Sequence, residues 1–124
     1  DLLFESSYHM NFSEEWITAN QAVLGASKER FGEINLVSFQ ELMKAFYALD
    51  ITAELHKITA PTLVVVGEKD LIKGYKYSKL IAENIPGSEF VVVPGAGHAL
   101  CLEKPGTLNT LITGFVHKNR YELE

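Results

Sequence analysis

The sequence predicts an α/β fold whose second half is a βαβα unit with two parallel strands, preceded by a first half made of helices. Three observations carry this. Leu63-Val64-Val65-Val66-Gly67 and Phe90-Val91-Val92-Val93 are continuous, mostly β-branched apolar runs, the pattern of parallel strands buried on both faces. Helical periodicity follows each run. Tyr77, Leu80, Ile81 and Ile85 recur on one side of residues 74–84, and Leu108, Leu111, Ile112, Phe115 and Val116 face inward from residues 105–119. Pro86-Gly87 and Pro94-Gly95 close the segments between them. Strand, helix, strand, helix is the order that right-handed parallel connections require.

The remaining elements follow from the amino terminus. Residues 1–12 mix aromatic and polar side chains without a clear period. Glu14 to about Gly25 reads as a helix: Ser13 is placed to cap it, Glu14 and Glu15 sit in its first turn, and Gly25 can end it. Residues 26–36 read as a polar connection. A second helix opens where Ser38 and Glu41 have capping-box spacing and Val37 is placed as a hydrophobic staple. Its Leu42, Met43, Phe46, Tyr47 and Leu49 form a broad aromatic face that either packs on its neighbours or covers a ligand cleft. A short helix is expected over Thr52–Lys57. Pro61 leads into the first strand, and Pro105 suits the first turn of the last helix.

Composition narrows the function. The 124 residues are 47% hydrophobic and 22% charged, which suits one globular domain with a modest core. A formal charge of -5 gives no electrostatic case for nucleic acid. Lys69, Lys73, Lys76 and Lys79 cluster, but they lie in and before a helix with an apolar face and read as a solvated side. The single Cys101 rules out an intrachain disulfide and, with no recognisable signal peptide at the start, suggests a cytoplasmic protein. No apolar run approaches the roughly 20 residues needed to span a membrane. The first residue is Asp rather than Met, and Leu123-Glu124 resembles a cloning remnant, so an excised or truncated piece is expected.

Two strands raise a structural difficulty. They cannot make a doubly covered sheet, and at least one apolar edge stays unpaired. No internal repeat supplies further strands. The sequence therefore predicts an incomplete fold or one completed by self-association, with a homo-oligomer or a complementary chain as the partner.

The candidate chemistry lies beyond the strand ends. Asp70, in Gly67-Glu68-Lys69-Asp70, and His98, in Pro94-Gly95-Ala96-Gly97-His98, each stand just past the carboxyl end of a predicted parallel strand, where sites gather in open α/β sheets. Asp70 can fix one imidazole nitrogen and stabilise the cation while the other nitrogen takes a proton from a nucleophile. Singly, each has an ordinary alternative, a turn or cap aspartate and a histidine in a glycine-rich loop; their placement on successive strands is what favours the pair.

The stretch Ile58-Thr59-Ala60-Pro61-Thr62-Leu63-Val64-Val65-Val66-Gly67-Glu68-Lys69-Asp70 resembles the acid-bearing strand and loop of the α/β-hydrolase superfamily. Phe90-Val91-Val92-Val93-Pro94-Gly95-Ala96-Gly97-His98 resembles its histidine loop, and the helix opening near Pro105 its closing helix. The resemblance is specific over Leu55 to Tyr121. It implies a partial α/β-hydrolase fold, with residues 1–54 a helical cap-like segment and residues 55–124 the C-terminal portion of the core. It also implies that Asp70 is the triad acid and His98 the base, in the family's order. The implied parent is a serine-type hydrolase acting on an ester or similar bond of a small apolar substrate, without a cofactor. Trp16, Phe46 and Tyr47 are then candidate pocket walls.

One part of the family pattern is missing. No Gly-x-Ser-x-Gly nucleophile turn occurs; Gly25-Ala26-Ser27-Lys28-Glu29 comes nearest but lacks the second glycine and follows a helix. A base with no nucleophile has nothing to activate, and loss of the oxyanion amides removes a further large part of the rate. The isolated chain is expected to be inactive, either a fragment, one chain of a split enzyme, or a non-catalytic partner-binding protein. His9, His56 and His117 lack metal-ligand spacing. Cys101 reads as a small, at least half-buried side chain between Leu100 and Leu102, and Glu68 and Glu103 as solvated or helix-flanking charges.

Overall fold

The β-branched runs do form the centre of the α/β half. In the computed structural model, which describes residues 2–120, β1 (Leu63–Gly67) and β2 (Glu89–Val93) pair in parallel, with Leu63 opposite Glu89 and Gly67 opposite Val93. α5 (Tyr75–Asn84) makes the crossover and packs on both strands, and α7 (Pro105–Asn119) follows β2 after the short helix α6 (Leu100–Glu103). The result is a βαβα unit, a partial α/β-hydrolase architecture. Asp1 and residues 121–124, including the Leu123-Glu124 ending and the last residue of the resemblance, Tyr121, lie outside the described residues.

The core of this half is small. Val93, Ala96 and Leu100 are buried together, with Val65, Val91, Leu108 and Leu111 packed against them. The strands are less buried than their composition predicts: only Val66, Gly67 and Val93 are fully covered. The cause is topological. Among the described residues the sheet has two strands, so each has an outer edge with no neighbour. The helices are likewise half covered. Ile112 and Val116 of α7, expected to face inward, are exposed, as are Tyr77, Leu80 and Ile81 of α5, whereas Ile85 at its end is buried.

The first half is helical throughout and differs from expectation in four places. Residues Leu2–Asn11 form α1 although they carry no apolar stripe, and they bury no residue. The expected Glu14–Gly25 helix is two helices, α2 (Glu14–Ala19) and α3 (Gln21–Gly32), broken at Asn20. Gly25 does not end α3, which runs on through most of the expected polar connection; nothing lies within 4 Å of a Cβ there, so the glycine is simply tolerated. α4 spans Leu36–Ala48, and its cap is Asn35, whose side chain accepts from the Ser38 amide at 3.0 Å. Ser38 therefore stands at the third helical position, where its amide is one of the orphan donors. A 3-10 helix over Thr52–Lys57 leads to β1, and its Leu55 is buried near α5.

Candidate active site at the strand ends

Both strands run out into loops that are pressed together, and glycine makes this possible. A Cβ at Gly67 would collide with the carbonyl oxygens of Gly97 and Ala96, so only a bare backbone lets the two loops approach. Backbone bonds continue the parallel ladder past the strands. The Glu68 amide donates to Val93 O at 2.9 Å and the Lys69 amide to Ala96 O at 2.8 Å. Gly95 has a φ of 68°, a left-handed turn that sends the chain back towards the acid loop.

This geometry brings Asp70 and His98 together. His98 Nδ1 lies 2.8 Å from Asp70 Oδ2. The other carboxylate oxygen, Oδ1, accepts from the amides of Ile72 and Lys73, each at 2.8 Å. With both oxygens engaged the carboxylate cannot rotate. The side chain of Asp70 is 7% exposed and that of His98 38% exposed, so the acid is sheltered and the imidazole open to the surface. Burial alone would raise the Asp70 pKa, but the hydrogen bonds from His98, Lys73 and Ile72, together with the His98 charge, hold it below the ordinary aspartate value. An ionised Asp70 accepts the Nδ1 proton, which leaves Nε2 as the basic nitrogen. Nε2 has no hydrogen bond among the described residues.

Three neighbours hold the histidine loop, among them Glu68, which is exposed, and Glu103, which flanks α7. The amide of Gly95 donates to Glu68 Oε2 at 2.9 Å, that of Gly97 to Glu103 Oε1 at 2.8 Å, and that of Ala99 to Asn11 O at 2.8 Å. Glu103 also accepts from Ser13, so it is a structural acceptor rather than a free charge. The sequence signal for these ties is the glycine-rich loop itself: its amides lie outside any ladder or helix and must find acceptors nearby. Asn11 and Ser13 lie some ninety residues upstream, where no local pattern points to them.

The three candidate pocket aromatics separate. Trp16 stacks on Phe12 with ring centroids 4.1 Å apart. It lines a cavity of about 320 Å3 between the first helices, together with Phe4, Tyr8, Phe12, Phe31 and Leu102. Neither Asp70 nor His98 lines that cavity, and neither do Phe46 or Tyr47. Phe46 lies instead under the ammonium of Lys73, 4.4 Å from its ring centroid, which ties α4 loosely to the acid loop. Tyr47 is 81% exposed. Cys101 is exposed as well, contrary to expectation: in the four-residue α6 it is Leu100 that turns into the core, and the next residue points away. Ser27, nearest to a nucleophile pattern, lies inside α3 and donates to Val23 O at 2.9 Å. Of the four lysines, Lys69, Lys76 and Lys79 lie on the exposed side, with Lys69 3.5 Å from Glu15 and Lys79 3.5 Å from Glu83, whereas Lys73 is half-buried over the Phe46 ring. No helix among the described residues is long and apolar enough to cross a membrane.

Residues 6–105 match the family model described as alpha/beta hydrolase fold. The enol-lactonase from Burkholderia xenovorans LB400 superposes with a TM-score of 0.86 at 21% identity, over 94% of this chain and 44% of that one. Est816, an N-acyl homoserine lactone degrading enzyme, superposes with a TM-score of 0.75 at 33% identity, over 86% of this chain and 44% of that one. The proline iminopeptidase PfmaB of Pestalotiopsis fici (strain W106-1 / CGMCC3.15140) is 49% identical over 55 residues, 44% of this chain and 20% of the relative. The chain thus spans less than half the length of each of these proteins. The family match extends over most of the sequence, and the chain belongs to the α/β-hydrolase fold family.

Proposed function

We propose that the chain is the C-terminal part of a serine-type hydrolase acting on an ester or similar bond of a small apolar substrate, with Asp70 as the acid and His98 as the base. The observation that carries this reading is the 2.8 Å contact between His98 Nδ1 and Asp70 Oδ2 at the ends of two parallel strands. Asp70 holds the imidazole so that Nε2 faces the reacting group. Nε2 takes the proton of an attacking hydroxyl, Asp70 stabilises the imidazolium, and the same nitrogen returns the proton to the leaving oxygen. The hydroxyl and the oxyanion donors come from a segment this sequence does not carry, preceding residue 1 or on another chain. Alone, the 124 residues have no meaningful turnover.

Several observations support the ester class. Est816 is described as a lactone-degrading enzyme and is 33% identical over 86% of this chain. Trp16 and its aromatic neighbours line an apolar cavity that Asp70 and His98 do not reach, and they become substrate walls only once the missing core is in place. Residues 1–54 act as the cap, with Phe46 and Tyr47 as walls once the missing core is in place, and residues 55–124 belong to the core. No cofactor enters this reaction. The single cysteine favours a cytoplasmic location.

The test is hydrolysis of a small activated acyl ester by the chain alone and after addition of a hydrolase N-terminal segment bearing a nucleophile turn. The chain alone should match buffer. The reconstituted enzyme should turn over, and His98→Ala should lower its rate by about a million-fold. A strong rate from the chain alone, abolished by His98→Ala, would refute the claim of inactivity. A reconstituted rate indifferent to His98→Ala would refute the assigned base.

A second reading is a non-catalytic protein that associates with itself or with a partner chain. The unpaired outer edges of β1 and β2 and the exposed apolar side chains of α4, Leu36, Val37, Leu42 and Tyr47 among them, favour it. Sedimentation separates the two: a single defined oligomer of this chain supports the second reading, and a monomer that aggregates supports the first.

A further inference from the structure

We propose that Glu103 is a positioning residue for His98, holding the base's loop through one carboxylate that also ties the loop to the first helices. The inference rests on the reading of His98 as the base. Gly97, which immediately precedes His98, is buried, and its amide needs an acceptor. Glu103 Oε1 supplies it at 2.8 Å. The fit is close because Gly97 has no side chain: a Cβ there would meet Glu103 Oε1 at 2.6 Å and Asn11 O at 3.0 Å.

The same carboxylate is held from its other side. Ser13 Oγ donates to Glu103 Oε2 at 2.5 Å, and the Ser13 amide lies 3.2 Å from each oxygen. Ser13 is 5% exposed, so these bonds are sheltered from water. Its hydroxyl oxygen also accepts from the Trp16 amide at 3.3 Å and so caps α2. One serine thereby links the helix that carries the cavity wall Trp16 to the loop that carries the base. Only a carboxylate satisfies this set, since all three groups facing it are donors: the Gly97 N–H, the Ser13 N–H and the Ser13 O–H. A glutamine in its place presents its own N–H groups to donors and leaves at least one of them without an acceptor. The freed loop no longer holds Nδ1 on Asp70, and the imidazole is left without the partner that selects its tautomer.

The experiment is nitrogen NMR of the labelled 124-residue chain in mildly alkaline buffer, reading the His98 tautomer and the exchange rate of the Gly97 amide. The native chain should show the Nδ1–H tautomer. Glu103→Gln should lose it in favour of Nε2–H and speed Gly97 exchange by about tenfold to a hundredfold. An unchanged tautomer in a folded Glu103→Gln chain overturns the positioning role while leaving the Asp70–His98 reading intact. An Nε2–H tautomer in the native chain overturns that reading itself, and this inference with it. Should Glu103→Gln fail to fold, Ser13→Ala decides by the same two readouts: it keeps the carboxylate and removes the hydroxyl that holds Oε2 and caps α2, and an unchanged tautomer and exchange rate overturn the proposal.

Discussion

The loops beyond β1 and β2 are polar and glycine-rich and the helix α4 is largely apolar, yet it is the loops that are tightly held and α4 that is not. At the strand ends, two bare glycines, two backbone bonds across the loops and three captured amides hold Asp70 and His98. α4 buries no residue, and beyond its own turns it has the cap from Asn35 and the contact of Lys73 on Phe46. The difference shows that the site is organised by backbone hydrogen bonding rather than by a large core. A chain with a small core can therefore keep an acid–base pair in register. The same difference leaves α4 as the part with most to gain from a further surface.

The sharpest way to break that contrast is Gly67→Ala. The new methyl group overlaps two carbonyl oxygens, and backbone cannot swing aside as a side chain can. Thermal or urea unfolding should show a loss of about 3 kcal/mol or more, or no folded chain at all. A variant that folds with native stability would mean that the loops are not pressed together as described.

A smaller effect is expected at the acid, and it depends on pH. The folded Asp70 carboxyl titrates below its ordinary value. Its contribution to stability is therefore complete above the unfolded aspartate pKa, about 3.9, and fades as pH falls from there through the lowered folded value. Asp70→Asn should cost about 1.5–3 kcal/mol near neutral pH, the range for hydrogen bonds to a charged group. The gap between variant and native chain should close in acid. A gap that stayed constant from neutral pH to below pH 3 would show that the hydrogen bonds and not the charge are what matter.

How much of this was legible in the sequence follows the same division. β1 and α7 appear at their expected boundaries because composition, period and proline punctuation agree there. The strand-end placement of Asp70 and His98 could be read from the same signals, and their contact follows from the parallel register. α1 had no such signal, since Leu2, Leu3, Phe4, Tyr8 and Met10 do not line up on one face. The break at Asn20 has neither glycine nor proline to mark it. Asn35 and Ser38 are both good caps, and only the structure shows which one is used. The flanking place of Glu103 before α7 was legible, but its tie to the histidine loop was not, because its main partner, Ser13, is ninety positions away in sequence.

Gly25 gives the opposite sign to Gly67 for the same substitution. It lies in the interior of α3, where a Cβ would meet nothing within 4 Å. Alanine there removes the entropic cost of holding glycine in a helix and should stabilise α3 by about 0.5–1 kcal/mol. Whether the whole chain gains that much depends on whether the two halves unfold together. Leu24 beside it is buried, and Asn11 and Ser13 tie the first helices to the histidine loop. These ties argue for a single transition, so Gly25→Ala should raise the unfolding midpoint recorded at the strand-end loops, for example by exchange of the Gly97 amide. A gain confined to helical circular dichroism, with Gly97 exchange unchanged, would mean that the helices melt independently and that the ties through Glu103 and Asn11 do not couple the halves.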